Sequence, residues 1–466
     1  MTLVDSVRLV AGLAFVLSAN PVRAEALRRE TTTSEPPANA APDRFSLFGY
    51  SETIVQLFRR ALLPGANGVL IDTQTALPIH ESLVVQARDV DTPWRADSLD
   101  FEVSAWGRAE PTPNDARAPF DGDVQTANVR YGGGPFWMRI GRQSAAGGAA
   151  RFVRFDGVAL GGDAGLGPFA AAYGGYAALP RWGRRPGYRH LGAAEGAASS
   201  YAELELERGQ HWLFGGEAGY RARFARGALS FHEQREQGGT EHRDAGLDFV
   251  VTPEGLVSGG GSALVQLDSR GLSRLRLWAD LASPSLALGV ELQRADPALL
   301  LSRMSVLSVF GGGRYDEAGA TATLRALSWL SFDSSGRVQR YSDGRDGARG
   351  ELGARLVSAG ARRTTLRTSY ARVLAPENGY HSLRLALAQE LAARLGSTLE
   401  AYGYFYDRSI AGFRTSSVYA ATLAYRALDS LELLWGGSVA HSPYAAVDAQ
   451  TLVRVSWNLD LAKGPR

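Results

Sequence analysis

Arginines recur in this chain at every second position of otherwise aliphatic runs: Arg221 and Arg223, Arg274 and Arg276, then Arg325, Arg355 and Arg384. A guanidinium is a rigid fork of donors that grips the paired oxygens of a carboxylate or sulfate. Several along one path would hold an acidic sugar chain by contacts weak enough to exchange as it moves. Tyr402, Tyr404 and Tyr406 repeat with the same spacing. Their rings offer a stacking track for sugars and their phenols offer hydrogen bonds. A register slip of one residue would turn all three to the opposite face. The same alternation puts Glu203, Glu205, Glu207, Glu217, Glu291, Glu351, Glu390 and Glu400 on the face that carries the arginines. The competing reading is therefore that acids and bases pair along a wall and select nothing.

Enzymatic chemistry finds little support. The seven histidines form no HExxH pair, and no GxSxG elbow occurs. His232, beside Glu233, is the one candidate for a lipid-modifying enzyme that assembles its Ser and His on neighbouring strands. Asp343 and Asp346 in YSDGRDG lack the spacing of an EF-hand, so a solvated turn is the simpler reading. No metal and no cofactor is expected.

The elements that position these residues are strands. In Ser200–Phe224, Ala202, Leu204 and Leu206 alternate with Glu203, Glu205 and Glu207. After a turn at Arg208–Gln210, Trp212, Phe214, Gly216, Ala218, Tyr220, Ala222 and Phe224 alternate with Glu217, Arg221 and Arg223. Ala, Glu and Leu favour helix, but a helical period would leave no apolar stripe, so the period of two decides. At ~3.3 Å per residue and a tilt near 45°, Trp212–Phe224 would rise about 30 Å, enough for a bilayer's apolar band and its aromatic girdles. Soluble strands average about half that length.

The rhythm runs from Leu99 to Leu461. It shows in Leu275, Leu277, Ala279 and Leu281 against Arg274, Arg276, Trp278 and Asp280, and in Leu399, Ala401, Gly403 and Phe405 against Glu400 and the three tyrosines. Roughly twenty segments of this kind, each near the length of a membrane strand, predict an all-β fold: a single large antiparallel up-and-down transmembrane β-barrel with an even strand number from 18 to 22. Short turns are expected at Gly132–Pro135, Asp268–Gly271, Asp333–Gly336 and Ala359–Ala361. Longer connections are expected at 109–120, 179–198, 253–259, 311–318, 374–379, 409–414 and 441–448. The alternative is a long-stranded β-sandwich, whose apolar face meets a second sheet instead of lipid.

Fifty Lys and Arg residues against 48 Asp and Glu give a net charge of +2, so no nucleic acid is implied. Cysteine is absent and 54 residues are Gly, which suits an exported protein rich in hairpins. Residues 1–24 read as a signal peptide: Arg8, the apolar run Leu9–Leu17, and a cut after Ala24. Residues 25–42 read as a disordered linker. In 43–95, a short N-terminal helix over Ser51–Leu63, with Ile54, Phe58, Ala61 and Leu62 on one side, precedes a lead-in segment. That region would be a periplasmic handle or a plug. The barrel proper is expected at 96–461, ending in a strand that carries Val453, Val455, Trp457 and Leu459, with 462–466 a tail.

The chain resembles the Gram-negative outer-membrane barrel superfamily of porins and polysaccharide exporters. Arg139-Ile140-Gly141-Arg142-Gln143, followed by Arg154-Phe155-Asp156-Gly157-Val158, is similar to the strand, turn, strand pattern of alginate-export-type barrels. The resemblance implies a wide outer-membrane barrel whose arginine-bearing lumen, Arg139 included, passes a hydrophilic and anionic polymer. Its partners would be outer-membrane lipid, the solute, and export machinery met by the N-terminal segment. A general diffusion porin, a lipid-modifying barrel enzyme and a closed structural barrel are the alternatives.

Overall fold

Alternation of this kind leaves each strand one lipid-compatible face and two unpaired edges, and the fold removes every edge. The computed structural model describes residues 45–62, 73–90, 97–111, 120–178, 211–296 and 313–462, apart from turn positions 147, 151, 237–238, 254, 359, 361, 377, 411 and 444. Every regular element among them is a β-strand. Each strand pairs antiparallel with its neighbour in the chain, from Ser46–Leu62 to Ala445–Ala462.

The second strand comes in two pieces, Thr73–Ala76 and Ile79–Val90, which pair with the first strand in one register. The break falls at Leu77-Pro78, where proline has no amide to donate. The ladder is carried across it by the Gln56 amide, which donates to the Pro78 carbonyl at 3.1 Å. Along its other edge the first strand pairs with the last, from Ser46 opposite Ala462 to Leu62 opposite Ala445. The sheet is thus a closed barrel of 22 strands, within the predicted range.

Both ends of the wall, Ser46 and Ala462, lie at one rim. The connections there are short: 134–135, 164–166, 222–224, 283–285, 328–329 and 429–430 are examples. The longest connections, 178–211 and 296–314, join strands at the other rim. This asymmetry marks the near rim as periplasmic and the distal rim as external.

Outward positions are apolar around the wall: Leu99, Phe101 and Val103, Leu275 and Leu277, Leu288, Val290 and Leu292, Leu383 and Leu385, Val453 and Trp457. Phe136 (70% exposed), Tyr220 and Trp329 mark the near girdle; Phe120 (76%) and Tyr176 mark the distal one. Apolar side chains this exposed, in a continuous belt, belong against hydrocarbon and not against a second sheet.

Several expectations are corrected. Ser51–Leu62 is strand and not helix; helical spacing of its apolar residues loses to a full ladder on both edges. The wall consequently starts at Ser46, so most of 43–95 is barrel and not handle or plug. The strand from Trp212 ends at Arg221, and Ala222–Phe224 form a tight turn. Asp333–Gly336 lie inside the strand Leu330–Tyr341, while 253–259, 409–414 and 441–448 contain short turns only. The signal peptide, the 25–42 linker and the Ser200–Gln210 arm lie outside the described residues, as do 463–466; Ala462 belongs to the last strand.

Ionisable groups interrupt the apolar belt in places, Arg372 with Asp407 being one and Glu81 another. Glu81 points outward beside Thr53, between Leu83 and Val85 toward the near rim and Val55 and Leu57 toward the distal rim. Its carboxylate accepts hydrogen bonds from Ser51 Oγ, at 2.7 Å, and from Thr53 Oγ1. A carboxylate in the lipid-facing belt costs less than the roughly 2–4 kcal/mol of a basic group at the midplane. Glu81→Leu should therefore raise stability by about 1 kcal/mol, read from urea titrations of folding into vesicles. A loss of stability would show that the two hydroxyl bonds outweigh the desolvation they offset.

Candidate functional site

The faces of the strands decide what the lumen can bind. Leu399 and Phe405 face outward, more than half exposed, so Tyr402, Tyr404 and Tyr406 on Leu395–Ile410 face inward, in the predicted register. Tyr402 donates to Glu400 Oε2 at 2.7 Å, and the Arg384 guanidinium lies 5.0 Å from the centre of the Tyr402 ring while reaching Glu400 at 3.4 Å. Tyr380, from the neighbouring strand, sits edge-on to Tyr404 and Tyr406 at 5.9 and 6.4 Å. Tyr406 and Ser416 share a hydrogen bond of 2.9 Å. The result is a patch of phenol rings with a cation at its lower end.

Several of the predicted arginines are paired. Arg276 binds Glu291 at 2.5 Å. Arg337, which the sequence reading passed over, bridges Glu291 at 3.9 Å and Glu317 at 2.8 Å, so four side chains form one chain of alternating charge. Arg221 binds Asp163 at 2.7 Å near the periplasmic rim. Arg223 is in the turn after Arg221, with its guanidinium 5.0 Å from the Phe224 ring centre, and is not on the lumenal face. Arg139 faces inward opposite Arg130. Glu203 and Glu205 lie outside the described residues.

Other arginines close no ion pair among the described residues, although Asp333 lies near Arg367. Arg355 faces inward between Ser331 and Arg367, and Arg325 flanks Ser331 on the far side. None of Arg325, Arg355 and Arg367 makes an ion pair among the described residues, nor does Arg274, and one Nε of Arg355 is enclosed with no hydrogen-bond partner. Arg325, Arg355 and Arg367 form a basic row near the periplasmic mouth. Arg367 lay within reach of the alternation rule, but TTLRTSY shows little polar contrast between its two faces.

A second feature shapes the lumen. Strand Phe120–Gly133 pairs with Phe136–Ala146 only as far as Ala127 opposite Arg142. Gly141 sits there at φ +116°, and a Cβ at that position would lie 2.2 Å from the Ala127 carbonyl oxygen. Beyond this kink the hairpin 136–163 leans inward, and the Ala150 amide donates to Ser230 Oγ at 3.2 Å on the inner wall. Phe155, Val153, Tyr173 and Leu213 pack beneath it, fully or nearly buried. His232 belongs to this packing: it is wholly buried and its Nδ1 meets the Tyr173 hydroxyl at 3.1 Å. Glu233 lies on the opposite face of the strand, paired with Arg235 and Arg243.

Where the backbone ladder stops, charges hold the hairpin. Asp123 binds Arg142 at 3.3 Å and Arg154 at 2.6 Å, Arg142 binds Asp156 at 2.7 Å, and Arg142 Nη1 donates to the Val124 carbonyl at 3.0 Å. Asp343 in the distal turn is held by the backbone amide and guanidinium of Arg345, which keeps its carboxyl below the usual range; among the described residues no cluster suits a metal ion.

The Asp123 side chain is 8% exposed, and Asp123→Ala would remove the acid that Arg142 and Arg154 share, leaving Arg142 its second partner Asp156. Loss of one partner of a buried pair costs about 3 kcal/mol or more. Single-channel recordings of this variant should show added current substates as the hairpin loosens, and a trace identical to the parent would separate the ionic cluster from the hairpin's position.

No protein-family model and no curated protein sequence matches the chain. Its backbone is similar to solved outer-membrane structures at low identity. Pseudomonas aeruginosa OccK9 (OpdG) shares 12% identity, with 90% of this chain and 99% of that chain covered at a TM-score of 0.44. Acinetobacter baumannii OccAB4 shares 9%, with 91% and 100% covered at 0.42. The P pilus usher PapC translocation pore shares 9%, with 89% and 99% covered at 0.43. Closure without a free edge, a continuous outward apolar belt and short turns at the rim of both termini together identify the chain as a 22-stranded transmembrane β-barrel of outer-membrane architecture.

Proposed function

We propose that this barrel is a channel that conducts hydrophilic, anionic solute along its arginine- and tyrosine-bearing wall, with an acidic polysaccharide as the specific cargo and export as the direction. The observation that carries the reading is the basic row Arg325, Arg355 and Arg367, three lumenal guanidinium groups without an ion pair among the described residues. A round barrel of this strand number, with strands about 4.8 Å apart and tilted about 40°, is roughly 40 Å across between backbones, wide enough for an extended sugar chain after the inward hairpin takes its share. The phenol patch of Tyr380, Tyr404 and Tyr406 supports a carbohydrate over a small inorganic anion, because sugar rings stack on aromatic faces.

Export requires contact with a periplasmic machine. Since the wall begins at Ser46, that role falls to residues 25–44 and not to the longer handle. Their deletion should spare insertion and abolish export; intact export would remove the machinery from the reading.

A general diffusion porin is the second reading, favoured by the Arg276, Glu291, Arg337 and Glu317 network, whose charges cancel. Planar-bilayer recordings separate the two. The channel reading expects anion selectivity that Arg355→Glu with Arg367→Glu reverses, and block by alginate oligomers that the double variant relieves at least tenfold. Non-selective currents that no acidic oligosaccharide blocks would favour the porin.

A further inference from the structure

Outside the lumen, the distal third of the wall carries a groove of about 830 Å³ that the channel reading does not use. It lies on the lipid-facing side, over the strands between Gly271 and Leu374. Its floor is formed where Ala318, between Leu292 and Val338, and Ala348, between Val338 and Leu374, leave depressions among the larger side chains. The volume is within the roughly 300–1,000 Å³ typical of pockets that enclose a small ligand.

Charged groups meet the groove at its distal end. Arg294 grips both oxygens of Asp316, at 2.5 and 2.9 Å, and so neutralises it. Arg340 and Asp346 are direct cross-strand partners that also line the groove, yet neither makes an ion pair among the described residues. Both side chains are exposed. The arrangement is an apolar trough within the hydrocarbon belt that ends, at headgroup level, in one free guanidinium and one free carboxylate.

We infer that this groove is a binding site for a single acylated, phosphate-bearing lipid of the distal leaflet, with an acyl chain along Ala318 and Ala348 and the phosphate on Arg340. The surrounding medium at this depth is acyl chain, which is the only chemistry that reaches the floor without crossing a headgroup layer. Arg340 supplies the charge-assisted hydrogen bonds that a phosphate accepts. Asp346 accepts from a hydroxyl of the headgroup, which favours a glycerol or sugar head over a choline one. The site is independent of what the lumen conducts.

Native mass spectrometry of the refolded full chain in neutral detergent tests this with dilauroyl phosphatidylglycerol as the probe. One retained lipid per barrel is expected, with dilauroylglycerol and dilauroyl phosphatidylcholine each retained at least fivefold less and inorganic phosphate unable to compete. Arg340→Gln should reduce retention at least fivefold, and Ala318→Trp or Ala348→Trp, which fill the trough, should remove it. Variants enter the comparison once they show the compact, heat-resistant band of a folded barrel; having two trough variants keeps the test available if one fails to fold. Equal retention of dilauroylglycerol, retention that survives a filled trough, or a dimer that the tryptophan variants dissociate would each overturn the proposal, the last in favour of a second copy of the chain.

Discussion

Hydrocarbon offers a backbone amide nothing to bond with, and this requirement governs the whole molecule. Each described strand meets it by pairing on both edges, and the first strand meets it by pairing with the last. Even the proline in the second strand is accommodated without an open edge. Where Phe120–Gly133 and Phe136–Ala146 part, above Ala127 and Arg142, Asp123, Arg142 and Arg154 assemble. Side-chain donors there take over a task that main-chain amides perform elsewhere.

The lumen is under a looser rule. Its side chains meet water and each other, so charge is tolerated and arranged more than excluded. Where acid and base alternate across adjacent strands, as in the network about Arg337, they neutralise and brace the wall. Where arginines face serine and each other and close no ion pair among the described residues, as at Arg355, the wall keeps a net field. A lumen built of both regions has a stiff, neutral side and an electropositive side, and a passing anion would be held by the second.

The outward face was legible from the chain because lipid constrains it most tightly. Leu275, Leu277, Leu399 and Phe405 all face outward as the period of two requires, and the tyrosine triplet follows from them. Legibility failed where lipid-facing residues are not greasy. Gly49, Ser51 and Thr53 on the first strand sit beside the outward Glu81, so alternation vanished there and the helical spacing of Ile54, Phe58 and Ala61 took precedence. Asp333–Gly336 carries turn-forming residues, but inside a long strand the ladder outweighs local preference. Alternation also ran past Arg221 through Ala222 and Phe224, because an aromatic at the membrane surface looks the same in a strand as in a turn. The hairpin that leans inward rests on contacts between residues far apart in the chain, such as Ala150 with Ser230, which no local pattern encodes.

The seam between Ser46–Leu62 and Ala445–Ala462 also has a consequence for biogenesis. Every other pairing joins strands that follow each other in synthesis and can zip as hairpins soon after they emerge, whereas this one joins the two extremes of the chain. Until the C-terminal strand arrives, the growing sheet presents two raw margins that invite pairing with foreign strands. A protein built this way spends its most vulnerable interval at the end of its assembly, and the entropic cost of bringing those distant margins together falls on the last step.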